Sequence, residues 1–261
     1  MVHDPRSVLT RPVGPPHATV PYGPDPDQVL DLRLPPARPP GRRSAGGTPP
    51  LVVVVHGGFW RPAYDRSHVG PLAADLAARG WPVAVLEYRR GPWPTPAADL
   101  AAALAALPGR LLPALRSTGT PEGILLVGHS AGGQLVLHAA ADPAPGLRAV
   151  LALAPVADLP AAHRLDLDGG AVAALLGGGP AEAPQRYADA DPCRRPPRCP
   201  VTVLHGAADA HVPAALSRAY AAAHPAVRLA ELPGVEHFGL IDPRAAAWPA
   251  VTAALAGLSA P

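Results

Sequence analysis

The stretch LLVGHSAGGQLVLHAAA, residues 125–141, runs from an apolar segment through a glycine-rich turn into a segment of alanine, leucine and valine. The segment 123–128 predicts a strand, and the residues after Ser130 predict a helix. So sharp a turn brings the residues two before and two after the serine together, and both are glycine: Gly128 and Gly132. The pattern therefore favours a strained turn that projects Ser130 as a nucleophile. A plain glycine-rich connector is the alternative.

Strand and helix patterns alternate along most of the chain. The predicted strands are 27–35, 51–55, 81–89, 123–128, 147–155, 200–206 and 227–234, and the clearest helices are 66–80, 95–107 and 214–224. This alternation predicts an α/β fold with a mostly parallel central sheet and helices on both faces. We expect one domain over residues 1–261, in which 27–35 is an edge strand.

Three further features of this domain are predicted from composition and capping. Residues 1–26 form an N-terminal extension rich in proline and glycine. Residues 156–192 have no strand pattern and form a cap-like insertion beyond the strand ends. Asp242 and Pro243 begin the final helix as its N-cap and first residue.

The charge pattern argues against nucleic acid as a partner. The 22 cationic residues face 20 acidic ones, all the cations are arginine, and they are scattered. A nucleic-acid-binding protein would show a denser basic stripe. The N-terminus has no apolar core of a signal peptide, and no apolar run reaches the roughly 18–20 residues of a membrane span. We expect a cytoplasmic monomer or homodimer with no membrane partner.

The sequence predicts no metal and no cofactor. Cys193 and Cys199 alone cannot complete a four-ligand zinc site, and no H-E-x-x-H motif is present. No G-x-G-x-x-G follows a strand. In a reducing cytosol the two cysteines are expected to be unpaired loop residues, with a local disulfide as the alternative.

A serine nucleophile needs a general base, and the chain has 11 histidines from which to choose. His237, in LPGVEHFGL, follows the last predicted strand at its carboxyl end, where open α/β sheets bind ligands. It is the predicted base. His211 is the rival, and a surface role is the alternative for His237.

The acid that orients the base should follow a strand that precedes it. Asp209, in VTVLHGAADAHVP, meets this condition and is the predicted acid. Asp158 follows the preceding strand, although it also fits a cap of the insertion. The remaining candidates are Asp189, Asp191 and Asp242.

The stretch VVVVHGGFW, residues 52–60, is the candidate source of oxyanion donors. It leaves a buried strand, and its glycines let the backbone approach a ligand. The predicted donors are the N–H groups of Gly58, Phe59 and Ala131, while His56 is expected to brace the loop. A glycine turn with two core aromatics is the alternative.

Together these motifs resemble the α/β-hydrolase-fold serine hydrolases over roughly residues 20–257. HGGFW and GHSAGG are similar to the motifs of the carboxylesterase and hormone-sensitive-lipase-like branch, and also to those of the arylformamidases. The resemblance implies a triad of Ser130, Asp209 and His237. One departure is Phe59, which replaces the third glycine of an HGGG loop.

We therefore expect a serine hydrolase that cleaves small to medium carboxylic esters or aryl formamides through an acyl-enzyme on Ser130. Its partner would be a small-molecule ester or amide. Trp60, His129 and Trp93 are the predicted pocket residues, together with the insertion. The alternatives are a kynurenine formamidase and a hydrolase-fold protein that only binds its ligand.

Overall fold

An eight-stranded sheet runs through the protein, whose structure is a computed structural model that describes residues 4–36, 48–110 and 121–259. The strands are β1 (Ala18–Pro21), β2 (Val29–Arg33), β3 (Leu51–Val55), β4 (Val83–Leu86), β5 (Ile124–His129), β6 (Leu147–Leu153), β7 (Val201–Gly206) and β8 (Arg228–Leu232). Their order is β1-β2-β4-β3-β5-β6-β7-β8. The β1–β2 and β2–β4 pairs are antiparallel and the other five pairs are parallel, so the predicted mostly parallel sheet is confirmed.

Helices cover both faces of this sheet. They are α1 (Gly70–Ala78), α2 (Thr95–Arg110), α3 (Ala131–Ala141), α4 (Leu159–Arg164), α5 (Ala171–Leu176), α6 (Pro184–Ala190), α7 (Ala215–Ala223) and α8 (Trp248–Ser259). All five residues of β3 are buried: Val53 and Val55 pack into one core, and Val52 and Val54 into the other. Burial on both faces explains why this strand is a continuous apolar run.

Two sequence expectations about the fold are wrong. Residues 27–35 do not form the edge of the sheet, because β1 pairs with the outer side of β2. The last helix begins at Trp248, not at Asp242. The Asp242 carboxylate accepts the N–H of Arg244, and its carbonyl accepts the N–H of Ala245, so these residues form a separate turn before the helix.

The predicted insertion, residues 156–192, contains α4, α5 and α6 and connects β6 to β7. It is attached to two loops at the carboxyl ends of neighbouring strands. The guanidinium of Arg61 donates to the Asp168 carboxylate at 2.8 Å, and the Trp93 N–H donates to the Leu175 carbonyl at 2.9 Å. The insertion therefore lies over the sheet edge where parallel strands end.

Two properties of the described residues bear on the composition-based expectations. Cys193 and Cys199 are free thiols. No helix in this part of the chain is long and apolar enough to cross a bilayer.

Candidate active site

Ser130 lies in the turn between β5 and α3 with φ 56° and ψ −117°, in the backbone region that L-residues rarely adopt. The turn leaves no space for side chains beside it. A Cβ at Gly128 would lie 2.3 Å from the Gly132 carbonyl oxygen, and one at Gly132 would lie 2.2 Å from that of Val55. The N–H of Ser130 donates to Leu153 of β6 at 2.9 Å, which ties the turn to the sheet.

His237 and Asp209 form a short, buried hydrogen-bonded pair. The Nδ1 atom of His237 lies 2.6 Å from Oδ2 of Asp209, and both side chains are almost completely buried. A carboxylate at Nδ1 fixes the proton there and leaves Nε2 as the free, basic nitrogen. This is the tautomer that a general base for a serine hydroxyl requires.

Three further groups hold the Asp209 carboxylate. Its Oδ1 accepts the N–H groups of His211 and Val212, each at 2.8 Å, and His205 Nε2 lies 3.4 Å from its Oδ2. Burial alone would raise the pKa of Asp209. The hydrogen bonds from His205 and His237, followed by the backbone donors, instead hold this pKa well below its usual range. Asp209 is therefore anionic at neutral pH.

The loops that carry Asp209 and His237 meet because the ends of β7 and β8 approach closely. A Cβ on Gly206, the last residue of β7, would lie 2.2 Å from the Val235 carbonyl oxygen. That same oxygen accepts the N–H of Ala208 at 3.0 Å. Glycine at 206 thus permits the contact that places the two loops side by side.

The HGGFW loop passes directly against the Ser130 turn. A Cβ at Gly57 would lie 2.9 Å from the Cβ of Ser130. Both Phe59, with φ 48°, and Trp60, with φ 56°, adopt the left-handed region, which is unfavourable for aromatic residues. In the described part of the chain, the N–H groups of Gly58, Phe59 and Ala131 donate to no protein acceptor.

A buried hydrogen bond between a histidine and a glutamate braces the base of this loop. His56 Nε2 lies 2.9 Å from Glu87 Oε1, and its Nδ1 lies 2.8 Å from the Gly57 carbonyl oxygen. The Tyr88 ring stacks on His56 and donates its hydroxyl to the His56 carbonyl. Burial would raise the pKa of Glu87, but the hydrogen bond and charge of His56, with the Arg66 N–H, lower it to about 2.

Sequence reasoning predicted the bracing role of His56 but missed Glu87. The glutamate lies in LEYR, where the apolar residues before it indicate only a buried strand. The one sequence feature that could have indicated its role is a single acid at the end of such a strand. Its partner could not be identified without the order of β3 and β4.

A cavity of about 170 Å³ connects these elements. Its lining residues are Arg6, Leu9, Gly58, Phe59, Tyr64, His68, His129, Ser130, Asp168, His211, His237 and Phe238. Ser130 and His237 thus share one cavity, although the Ser130 hydroxyl forms no hydrogen bond within the described residues. Such hydrogen bonds are often long before substrate binds.

The predicted pocket residues are divided between this cavity and its surroundings. His129 lines it and donates Nε2–H to the His237 carbonyl at 3.2 Å. Trp60 lines a neighbouring cavity of about 260 Å³, which shares Phe59 with the first. Trp93 lines neither; its indole N–H donates to Asp189 and its ring packs edge-on against His138.

Burial keeps the histidines around His237 uncharged. It lowers the pKa of His129 well below the usual range and that of His68 to about 4, and it also lowers the pKa of His211. If His237 takes up a proton, the Asp209 carboxylate therefore balances its charge, and no neighbouring histidine adds a second positive charge to the cavity. No cluster of three or more His, Cys, Asp or Glu in the described residues could hold a metal ion.

The other acids that the sequence offered have other partners. Asp158 caps α4 by accepting the N–H of Ala161 at 2.8 Å. Asp191 accepts the N–H of Leu159, and burial raises its pKa to about 6. Asp189 accepts the Trp93 indole N–H, and Asp242 pairs with Arg11. None of the four lines the cavity that contains Ser130.

With this geometry established, comparison with known proteins identifies the family. The BD-FAE family model matches residues 38–223, which is most of the chain. The chain belongs to the BD-FAE family. Because the match covers β3 to α7, it includes the HGGFW loop, the Ser130 turn and Asp209.

Two curated relatives from Mycobacterium tuberculosis are similar to this family member. Esterase LipQ is 31% identical over 249 residues, covering 84% of this chain and 56% of LipQ. The probable carboxylic ester hydrolase LipM is 34% identical over 100 residues, covering 37% of this chain and 22% of LipM. The chain thus spans about half of LipQ and under a quarter of LipM.

Solved structures show the fold. Esterase B from Lactobacillus rhamnosis superposes with a TM-score of 0.72 at 20% identity, over 98% of this chain and 90% of that one. A truncated carbohydrate esterase from gut microbiota gives a TM-score of 0.72 at 20% identity, over 92% and 95%. The predicted α/β-hydrolase fold is confirmed.

Proposed function

We propose that this protein is a serine hydrolase that cleaves small to medium carboxylic esters through an acyl-enzyme on Ser130. The observation that carries the proposal is the shared cavity, which is lined both by a strained serine at a strand-to-helix turn and by a histidine that a buried carboxylate holds. The esterase names of LipQ and esterase B support the same chemistry.

In the proposed reaction, the Ser130 oxygen attacks the ester carbonyl carbon and His237 Nε2 takes the hydroxyl proton. The carbonyl oxygen becomes an oxyanion, which the free N–H groups of Gly58, Phe59 and Ala131 stabilise. The intermediate then collapses: the bond to the leaving oxygen breaks, and His237 returns the proton to it. Water then attacks the carbonyl carbon of the acyl-enzyme while His237 takes its proton. The bond to the Ser130 oxygen breaks, His237 returns the proton to that oxygen, and the carboxylic acid is released.

Aryl formamides are the second substrate class. A kynurenine formamidase is favoured by the aromatic residue in the HGGFW loop, because Phe59 lines the cavity and offers a ring against an aryl group. The cavity of about 170 Å³ suits small substrates in either class. The buried His237–Asp209 pair favours a hydrolase over a protein that only binds its ligand, because binding alone needs no oriented general base.

A turnover panel tests the proposal. It contains short p-nitrophenyl esters, aryl acetates and N-formylkynurenine, each assayed with the wild type and Ser130→Ala. We expect turnover of esters by the wild type and its loss in the variant. Wild-type turnover retained by Ser130→Ala would refute the acyl-enzyme, and cleavage of N-formylkynurenine alone would select the formamidase.

A further inference from the structure

The N-terminal segment contributes a cation to the cavity that contains Ser130. Residues Pro5–Thr10 form a 3-10 helix, and Arg6 and Leu9 from it line the cavity. Nη2 of Arg6 lies 3.3 Å from Nε2 of His211, and the Arg6 guanidinium lies 6.0 Å from the centre of the Phe238 ring. Arg6 therefore borders the loop that carries His237.

The helix that carries Arg6 is firmly attached. Asp4 caps it by accepting the Arg6 N–H at 2.9 Å, and Val8 is completely buried in the core. Arg11, the residue after the end of this helix, forms a bidentate ion pair with Asp242, whose carboxylate is fully buried. The position of Arg6 is thus set by the fold of the N-terminal segment.

Arg6 has no carboxylate partner in the described part of the chain. Two acids beside the cavity have other partners: Asp168 pairs with Arg61, and Asp209 accepts hydrogen bonds from His237 and the loop around His211. Glu236 acts on His211 through its charge but forms no ion pair with Arg6 among the described residues. The neighbouring His211 is neutral, since burial and then His237 and Arg6 lower its pKa. Within the residues that the structure describes, the cavity thus presents a guanidinium that no carboxylate pairs with directly.

We propose that Arg6 determines substrate specificity by binding an anionic group of the substrate, so that the preferred substrates are esters bearing a carboxylate away from the scissile bond. A guanidinium binds a carboxylate through two parallel N–H donors, which orients as well as attracts it. This inference rests on the proposed hydrolase function. It names the class of substrate that the Ser130 site prefers.

Matched substrate pairs test the inference. On the leaving-group side, meta-acetoxybenzoate is compared with meta-acetoxybenzamide; on the acyl side, the p-nitrophenyl monoester of adipic acid is compared with p-nitrophenyl hexanoate. In at least one pair, Arg6→Gln should lower kcat/KM for the anionic ester by about tenfold, because an exposed charge-assisted contact is lost. The neutral ester should change little, and Arg6→Lys should restore part of the loss.

Arg218→Gln is the control, because it removes the same charge from an exposed arginine that pairs with Glu231 on the surface of α7 and β8. It should leave both pairs unchanged. An equal loss for anionic and neutral esters, or no loss in either pair, would overturn the role of Arg6.

A second readout does not depend on turnover. Calorimetry with meta-hydroxybenzoate should show binding that is lost in Arg6→Gln and is weaker for meta-hydroxybenzamide. If no ester is cleaved but this binding difference is present, the hydrolase proposal fails while the anion site stands. Equal binding of the two ligands by the wild type, together with equal kcat/KM within both substrate pairs, would reject the anion site.

Discussion

Gly132→Ala tests the claim that the Ser130 turn has no space for a side chain. The added Cβ would lie 2.2 Å from the Val55 carbonyl oxygen and 2.4 Å from that of His56. Ordinary carbon–oxygen contacts are about 3.3–3.6 Å, so the start of α3 must move by about 1 Å. Neither oxygen can retreat: Val55 pairs with strands on both sides, and the His56 carbonyl accepts the Tyr88 hydroxyl.

This shift should lower the free energy of unfolding of the Gly132→Ala protein. Overpacking of this kind destabilises proteins by about 1–3 kcal/mol. For a chain of this size that corresponds to a melting temperature lower by about 2–12 °C. Because Ser130 immediately precedes the displaced helix, kcat/KM for p-nitrophenyl butyrate should fall by about 10²-fold.

The control for this substitution is Gly257→Ala in α8. No atom lies within 4 Å of the Cβ that it would add, so the variant should match the wild type or gain up to about 1 kcal/mol of stability. Thermal unfolding and ester hydrolysis are measured on both variants. A Gly132→Ala protein with the melting temperature and kcat/KM of the wild type would refute the steric reasoning.

Two further predictions concern the buried acids. Asp209→Asn should lower kcat on p-nitrophenyl butyrate by about 10⁴-fold, because an amide no longer fixes the proton on His237 Nδ1. Circular dichroism should show that the variant keeps the fold. An unchanged kcat would show that Asp209 has no part in the mechanism. Glu87→Gln should destabilise the protein at neutral pH. The pKa of Glu87 falls from 4.5 to about 2 on folding, so its contribution is present above about pH 4.5 and is lost as the pH falls toward about 2. Urea unfolding should show the difference from wild type shrinking across that window; a pH-independent difference would contradict it.

The central parts of the fold and the placement of three site residues could be predicted because each rests on a local pattern. Continuous apolar runs mark strands buried on both faces, and the Ser130 turn is specified by its own glycines. Since parallel strands end at one edge, the positions of Asp209 and His237 after two later strands were enough to expect them near Ser130. The structure brings these two side chains to 2.6 Å.

The rest depends on contacts between distant parts of the chain. Arg6 lies 205 positions from His211, and no spacing in a proline-rich N-terminus indicates that contact. Strand β1 has only four residues, each at most partly buried, so its pattern is too short to detect. The start of α8 was misplaced because an aspartate before proline caps a turn as readily as a helix, and Arg11 holds Asp242 in that turn.

The most direct test of the central claim is covalent labelling of the wild-type protein with a fluorophosphonate, followed by mass-spectrometric mapping of the adduct. An activated serine in a completed triad attacks such a probe, whereas an unactivated hydroxyl does not. The structure predicts one adduct, on Ser130, that is lost in Ser130→Ala and strongly reduced in His237→Ala. No adduct, or an adduct on another residue that persists in Ser130→Ala, would contradict the assignment of Ser130 as the nucleophile.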